Sequence, residues 1–279
     1  MDDVTMVIIT FNTENKKYIN ICDDFLYQIK KRIKLYQLDI VVVCLQESRA
    51  FTENLVKAFS DCFSNYKKYE NSIYRIGKEG LNALRTIVFI NPTLETLKPK
   101  FNKITLKTKS SLAFNINVKG KDIVVINAHL PFNKKDLPDQ GLEERNKAFT
   151  YYYETHQKRL GKDFDIHNVF FVGDLNYRMK KNDVYSYNKY YNQLDIPKFQ
   201  EGIIKFMPTC KLKTCKLPHI STTVKQRNYN KYPNKYPRYP SWCDRILYKG
   251  RIKVLLYDAI DYGQTCLSDH IPVFGIYKI

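Results

Sequence analysis

The sequence predicts an α+β domain whose mixed sheets carry helices on their outer faces. Three observations lead there. Two apolar strands, Val4–Phe11 and Asp39–Leu45, flank a stretch of helical period. From Tyr66 to Val118 the pattern changes to strand after strand, broken by Gly77, Gly80, Asn91-Pro92 and Pro99. No internal repeat, low-complexity linker or composition break divides the chain, so one domain, residues 1–279, is expected.

Val4–Phe11 ends in Thr10-Phe11-Asn12. Tyr18, Ile21, Cys22, Phe25, Leu26, Ile29, Ile33 and Tyr36 then recur at helical spacing with Lys and Gln between them, which makes an amphipathic helix packed on a sheet. Asp39–Leu45 runs directly into Gln46-Glu47, and Thr52 is placed to cap a short helix through Phe63. Ser72–Ile76, Leu84–Ile90, Ile104–Lys107 and Leu112–Val118 alternate or run apolar. Asp122–Asn127 is another core strand, ending at Ala128-His129-Leu130-Pro131. A helix over Leu142–Leu160 turns Leu142, Phe149, Tyr152, Tyr153, His156 and Leu160 to one face. Val169–Val172, rich in Val and Phe, reads as a buried strand. At Gly173 the hydrophobicity stops, and Asp174, Asn176 and Arg178 follow. Beyond Lys180 the chain is loop-rich and basic, with late strands at Cys243–Tyr248, Ile252–Tyr257 and Ile271–Tyr277.

With 44% apolar and 14% aromatic residues the chain can bury a sizeable core. Its 46 Lys and Arg against 28 Asp and Glu favour anionic partners: nucleic acid, phospholipid headgroups or small polyphosphates. Seven cysteines form no Cys-x-x-Cys pair, and Cys22 and Cys44 sit inside apolar segments, as core thiols do in a reducing compartment. The N-terminus is acidic and its apolar run short, no stretch is long enough to span a bilayer, and no prenylation cysteine is present. A soluble, cytoplasmic protein is expected, with any membrane contact peripheral and no appended targeting domain.

Several strands end alike, in an apolar run followed by polar groups suited to metal or phosphate. These are Asn12, Glu47, Asn127 with His129, and Asp174 with Asn176. Ser241-Trp242-Cys243-Asp244-Arg245 and Ser268-Asp269-His270 precede late strands. Each alone is weak: Gly-Asp and Asn are turn residues, a lone Glu after a strand is more often a solvated end, and a lone His is more often a satisfied core or surface residue. Together they supply the parts for phosphoester hydrolysis, which needs charge neutralisation by a metal, a base for water, and donors on the phosphoryl oxygens. Oxygen ligands without cysteine point to Mg²⁺ rather than zinc.

Gly173-Asp174-Leu175-Asn176-Tyr177-Arg178 and Pro240-Ser241-Trp242-Cys243-Asp244-Arg245-Ile246-Leu247 resemble the two signature motifs of inositol polyphosphate 5-phosphatases. These belong to a superfamily of Mg²⁺-dependent exonucleases, endonucleases and phosphatases. Thr10-Phe11-Asn12, Leu45-Gln46-Glu47, Asn127-Ala128-His129-Leu130-Pro131 and Ser268-Asp269-His270 fall in family order around them. Phe199-Gln200-Glu201-Gly202 with Phe206-Met207-Pro208-Thr209-Cys210-Lys211 is similar to a further family stretch, so the likeness runs from Thr10 to Val273. It implies a four-layered α/β/β/α sandwich, two mixed sheets packed face to face with outer helices (DNase-I-like).

The resemblance also implies roles. Glu47 would be the main Mg²⁺ ligand, with Asn12 and Asp269 near the metal. Asp174 would orient and deprotonate the attacking water, and Asn176 would hold the phosphate or the metal shell. His270, oriented by Asp244, and His129 would bind the scissile phosphate from two sides, with Asn127 and Arg178 in the substrate-binding set. Family members grip the neighbouring 4-phosphate through cations that correspond here to Lys211 and Arg238, with Lys235 beside the remaining family position, which reads Tyr236. Departures from the pattern are Cys210 for a Tyr, Phe11 for a Trp, and Thr108-Lys109-Ser110-Ser111 for an Asn-Lys-Gly-Gly-like segment. Trp242 is assigned to packing.

Between Gly202 and Lys253 thirteen Lys and Arg face one acid, Asp244, which concentrates the chain's positive charge on the stretch that the resemblance gives to phosphate recognition. The expected partners are inositol phosphates or phosphoinositides at an anionic membrane surface, with no nucleic acid and no protein partner. Leu130-Pro131-Phe132 with Lys134-Lys135 could dip into that surface, although an ordinary loop explains it as well. A nuclease of the same superfamily would share the metal, Asp, Asn and His parts and use a basic groove. Asn176-Tyr177-Arg178 and the Trp-Cys-Asp-Arg signature favour the phosphatase. A merely anion-binding protein would not place four such acidic and imidazole groups where carboxylates weaken anion affinity.

Overall fold

Period-two alternation along the strands decides the layers. The computed structural model describes residues 3–14, 23–48, 52–77, 80–96, 98–106, 109–132, 141–161, 167–178, 196, 198–210, 241–260 and 268–279. Its elements are β1 (Thr5–Asn12), α1 (Asp23–Ile33), β2 (Ile40–Gln46), α2 (Glu53–Cys62), β3 (Lys67–Gly77), β4 (Gly80–Ile90), β5 (Lys100–Thr105), β6 (Ser110–Val118), β7 (Lys121–His129), α3 (Gly141–Leu160), β8 (Asn168–Asp174), β9 (Gln200–Glu201), β10 (Asp244–Lys249), β11 (Lys253–Ala259) and β12 (Val273–Lys278). One sheet has the order β11-β12-β1-β2-β4-β3 and the other β5-β6-β7-β8-β10-β9. Each contains a parallel central pair, β1 with β2 and β7 with β8.

Val7, Ile9 and Phe11 of β1 and Val41, Val43 and Leu45 of β2 meet Ile29 and Ile33 of α1 and Leu55, Val56 and Phe59 of α2. The alternate residues, Met6, Ile8, Ile40, Val42 and Cys44, face Phe114, Val125, Phe170, Val172 and Ile246 of the second sheet. That sheet's other face, with Val124, Ile126, Val169 and Phe171, carries Ala148, Phe149 and Tyr152 of α3. The layers are therefore α1 and α2, sheet, sheet, α3, the four-layered sandwich expected. Burying apolar surface on three successive interfaces is its main source of stability. Among the described residues, no helix is long and apolar enough to cross a membrane.

Several local expectations change. The helix expected from Tyr18 to Tyr36 ends at Ile33, where Tyr36 N–H closes a turn on the Ile33 carbonyl; Tyr18, Ile21 and Cys22 lie outside the described residues. Thr52 does occupy the N-cap of α2, but its side chain makes no cap bond. Its Oγ1 lies 2.7 Å from Ser48 Oγ, which ties the helix to the loop after β2 instead. Leu142 does not join the buried stripe of α3. Gly141, Arg145, Ala148, Phe149, Tyr152 and His156 form it, and Leu142 lies one position round the helix and is exposed. The two-residue β9 is too short to show a period.

His156 is fully buried beneath α3 with Nε2 2.9 Å from Ser111 Oγ. Burial, and after it the Arg159 charge, push its pKa down to about 3. Between that value and about 6.5 the unfolded chain binds a proton that the native state does not, so stability falls as pH drops through the window. A loss of about 2 kcal/mol is expected by pH 5. Urea denaturation of the wild type and His156→Gln at pH 7 and pH 5 checks this. Equal pH dependence in both proteins would remove His156 as its source.

Candidate active site

Alternation and register together assemble the site. Following the inner-face residues of β7 past Val125 gives Asn127 and then His129, and following β8 past Val172 gives Asp174. Register pairs His129 with Asp174, and Asp174 with Asp244 of β10. Three functional side chains therefore stand in one row across three adjacent strands, about 5 Å apart from strand to strand. On the facing sheet the same count takes β1 through Ile8 and Thr10 to Asn12, and β2 through Cys44 to Gln46, and Asn12 pairs with Gln46.

Beneath this row lies a layer of amides. Gln46 Nε2 donates to Asn127 Oδ1 at 2.8 Å, and Asn127 Nδ2 donates to Thr86 Oγ1 at 3.1 Å and the Arg85 carbonyl at 3.0 Å. Asn127 is fully buried and bridges the two sheets. Both ends of its amide are taken up by protein groups, one tier below His129, where it supports the site.

Asp174 is the centre of the upper tier. Its Oδ2 accepts from Asn12 Nδ2 at 2.8 Å and lies 3.3 Å from His129 Nε2 and 3.9 Å from His270 Nε2. Its Oδ1 accepts the Asn176 N–H at 3.0 Å. Burial disfavours its charge, but His270, His129 and Arg178 outweigh that and hold the carboxyl well below the usual carboxylate range. It is an anion at any working pH.

His270 Nδ1 is 2.8 Å from Asp244 Oδ2, which also accepts from Thr209 Oγ1 at 2.7 Å. Burial lowers the imidazole's pKa, whereas Asp244, Cys210 and Asp174 raise it well above the ordinary value. Burial, with the charge of Asp174, also pushes Asp244 up. The two shifts describe one shared proton. It belongs on His270, because Asp244 Oδ2 already accepts from Thr209 and can accept from Nδ1–H as well.

The other expected residues fall around this core. Glu47 Oε1 is 3.9 Å from His129 Nε2, and its side chain stays about a quarter exposed at the mouth. Asp269 Oδ1 is 3.7 Å from His270 Nε2. Asn176 does not offer its amide to the mouth. Nδ2 donates to the Leu130 carbonyl at 2.9 Å and Oδ1 accepts from Arg178 Nη2 at 2.7 Å, so Asn176 orients Asp174 through its backbone and Arg178 through its side chain. Arg178 lies 4.6 Å over the Phe132 ring and donates to Cys210 Sγ at 3.1 Å. Trp242 packs on Ile204 and Phe206 and donates to the Phe206 carbonyl. Arg245 is paired with Glu201, a structural use. Lys211, Lys235 and Arg238 lie outside the described residues.

Two residues at the site were not singled out from sequence. Lys109 Nζ is 2.7 Å from His129 Nε2, and Thr209 orients Asp244. Thr209 lies in a stretch similar to a family motif and Lys109 in one that departs from it, and neither residue carries a pattern of its own.

The backbone is strained where the site is built. Glu47 and Asn176 have φ of 50° and 54°, a left-handed conformation that non-glycine residues avoid. Thr13 Oγ1 pins Glu47 by donating to its carbonyl at 2.9 Å. Gly173 has φ of 140° and packs against the Ala128 carbonyl.

The donor set fits a hard divalent cation. It offers carboxylate oxygens from Glu47, Asp269 and Asp174, an amide oxygen from Asn12, and no thiolate. Asp174, Asp244 and His270 also form a buried cluster whose ligand atoms lie within 4.8 Å of one another, and Asp244 Oδ1 has no hydrogen-bond partner among the described residues. In that cluster the proton on His270 already offsets one of the two carboxylates. Glu47, at the open side, is the better anchor for a cation.

A family model described as endonuclease/exonuclease/phosphatase family 2 matches residues 9–276. The chain belongs to this family. Synaptojanin of Caenorhabditis elegans is 27% identical over 285 residues, covering 86% of this family member and 23% of the relative. Other relatives are named as inositol polyphosphate 5-phosphatases of plants and animals, and the chain spans well under half of their lengths. Among solved structures, the inositol polyphosphate 5-phosphatase domain of SPsynaptojanin, in complex with inositol (1,4)-bisphosphate and calcium ion, is similar with a TM-score of 0.67 at 22% identity. It covers 99% of this chain and 84% of that one. A Cimex nitrophorin ferrous NO complex is similar with a TM-score of 0.64 at 18% identity, covering 99% and 98%. Both likenesses bear on the fold alone. A fold does not choose a reaction, and the side chains at the open end of the sandwich must.

Proposed function

We propose that this phosphoesterase removes the 5-phosphate from inositol polyphosphates or phosphoinositides, with Mg²⁺ as cofactor and an Asp174-activated water as nucleophile. The observation that carries the proposal is Asp174 itself. A buried carboxylate held anionic between two imidazoles, in a chain of net charge +18, is costly in a site that only binds anions. It is useful in one that hydrolyses them.

A water accepted by Asp174 attacks phosphorus in line with the bond to the inositol oxygen. Its proton passes to Asp174 as the phosphoryl group transfers, and the nearby dianionic phosphate raises the carboxylate's low basicity during that step. His270, kept protonated by Asp244, faces the phosphoryl oxygens and supplies the proton of the departing oxygen. His129 and Lys109 face the same space. Glu47, with Asn12 and Asp269, would hold Mg²⁺, which when bound neutralises phosphate charge.

Support for an inositide substrate comes from the relatives' names and from the basic stretch around Lys211, Lys235 and Arg238. Phosphate release with Mg²⁺ should be compared on Ins(1,4,5)P3, on PtdIns(4,5)P2 vesicles and on a single-stranded oligonucleotide. The proposal expects release from one or both inositides and none from the oligonucleotide; cleavage of the oligonucleotide alone would sink it. Lys211→Ala should raise KM about tenfold for substrates with a 4-phosphate and little for those without. An equal rise on both would remove Lys211 from 4-phosphate recognition.

A further inference from the structure

The turn after β1 holds a carboxylate that no motif explains. Glu14 has φ of 55°, a left-handed backbone that its residue type does not favour. Its N–H donates to Asn12 Oδ1 at 3.0 Å. That bond fixes the Asn12 amide so that Nδ2, at the opposite side, points to Asp174 Oδ2. Its side chain crosses to the other end of the chain, where Oε2 accepts the Asp269 N–H at 2.9 Å. Beside this bridge, Ser268 Oγ donates to the Asn12 carbonyl at 2.7 Å and accepts the His270 N–H at 3.2 Å. The turn carrying Asp269 and His270 is thus fastened to the end of β1 by two side chains, Ser268 and Glu14. Only one of them bears a charge.

That charge is of the wrong sign for the site's substrates. A half-buried carboxylate beside a phosphate site repels the ligand, and a strained backbone adds to the disadvantage. Neither is expected to persist in a residue without a role. Glu14 Oε2 accepts a backbone N–H in the segment that delivers His270.

We propose that Glu14 is a positioning residue: acting as a hydrogen-bond acceptor through Asp269 N–H, it sets the turn that aims His270 at the phosphoryl group. This rests on the phosphoesterase reading for its kinetic part, but the positioning itself is visible without substrate.

The test separates acceptor from charge. The glutamine side-chain oxygen can accept the same N–H, and alanine cannot. In Glu14→Ala the ring proton and nitrogen resonances of His270, read by NMR in the free protein, should move, and kcat should fall about tenfold. In Glu14→Gln the His270 signals should stay in place and kcat should stay within about twofold, while KM for an anionic substrate falls because a repelling charge is gone. Thermal midpoints of both variants should match the wild type, which excludes a general loss of fold. Unmoved His270 signals in Glu14→Ala would overturn the proposal. So would a glutamine variant as impaired as alanine with weaker Mg²⁺ binding by calorimetry, since the carboxylate would then be serving the metal. Absence of inositide hydrolysis in the wild type, with the NMR pattern intact, would count against the substrate assignment and leave the positioning role standing.

Discussion

Asp174→Ala should lower kcat by about a thousandfold or more while the thermal midpoint stays within about 5 °C of the wild type. The loss is large because the carboxylate is the one group placed both to accept the water's proton and to hold the Asn12, His129 and His270 side chains on a common centre. The fold should survive, since Asp244 still pairs with His270 and so no uncompensated buried cation is left there. Asp174→Asn is the less conservative change despite its shape. Oδ1 accepts the Asn176 N–H and Oδ2 accepts from Asn12 Nδ2, so a carboxamide must turn an NH₂ group toward a donor on one side. It should lose as much turnover as alanine and more stability. Steady-state kinetics and thermal melts on both variants check this, and retained turnover in Asp174→Ala would remove Asp174 as the base.

Gly173→Ala should destabilise the protein by about 3 kcal/mol or more, and any folded fraction should be nearly inactive. A Cβ at this position would lie 1.9 Å from the Ala128 carbonyl oxygen on the adjacent strand β7. Real carbon atoms do not approach so closely, and the obstacle is backbone inside a sheet rather than a flexible side chain. The φ of 140° adds strain for any L side chain. Because Ala128 pairs with Gly173 just before His129 pairs with Asp174, relief of the clash must shift the row that holds the two reacting groups. Chemical denaturation of the variant measures the effect. A loss under about 1 kcal/mol would show that the strands separate more easily than their packing implies.

Much of this architecture is readable from period alone. β1, β2, β7 and β8 announce themselves as apolar runs with polar ends, and the order of their polar ends matches a family pattern. Register was not readable. Asn127 and His129 share a face of β7 and look equivalent in sequence, yet one pairs opposite Val172 deep between the sheets and the other opposite Asp174 at the mouth. Depth along a strand is set by its neighbours, so the two roles separated only in three dimensions. The contacts of Asn176 are hidden in a similar way: its amide is turned inward by the Leu130 carbonyl and Arg178, partners contributed by other elements or by a later position in the same turn. Lys109, Thr209 and Glu14 come from turns, where no period marks a functional residue. Leu142 was misplaced because the stripe on α3 is centred on Arg145 and Ala148, and a buried arginine does not register as apolar.

The central claim is that water, activated at Asp174, displaces inositol from the 5-phosphate. It is tested most directly by ³¹P NMR of Ins(1,4,5)P3 turned over with Mg²⁺ in ¹⁸O-labelled water. The expected products are Ins(1,4)P2 and inorganic phosphate carrying one ¹⁸O, with neither formed by Asp174→Ala. Label in the inositol product, loss of a different phosphate, or undiminished release by the variant would contradict it.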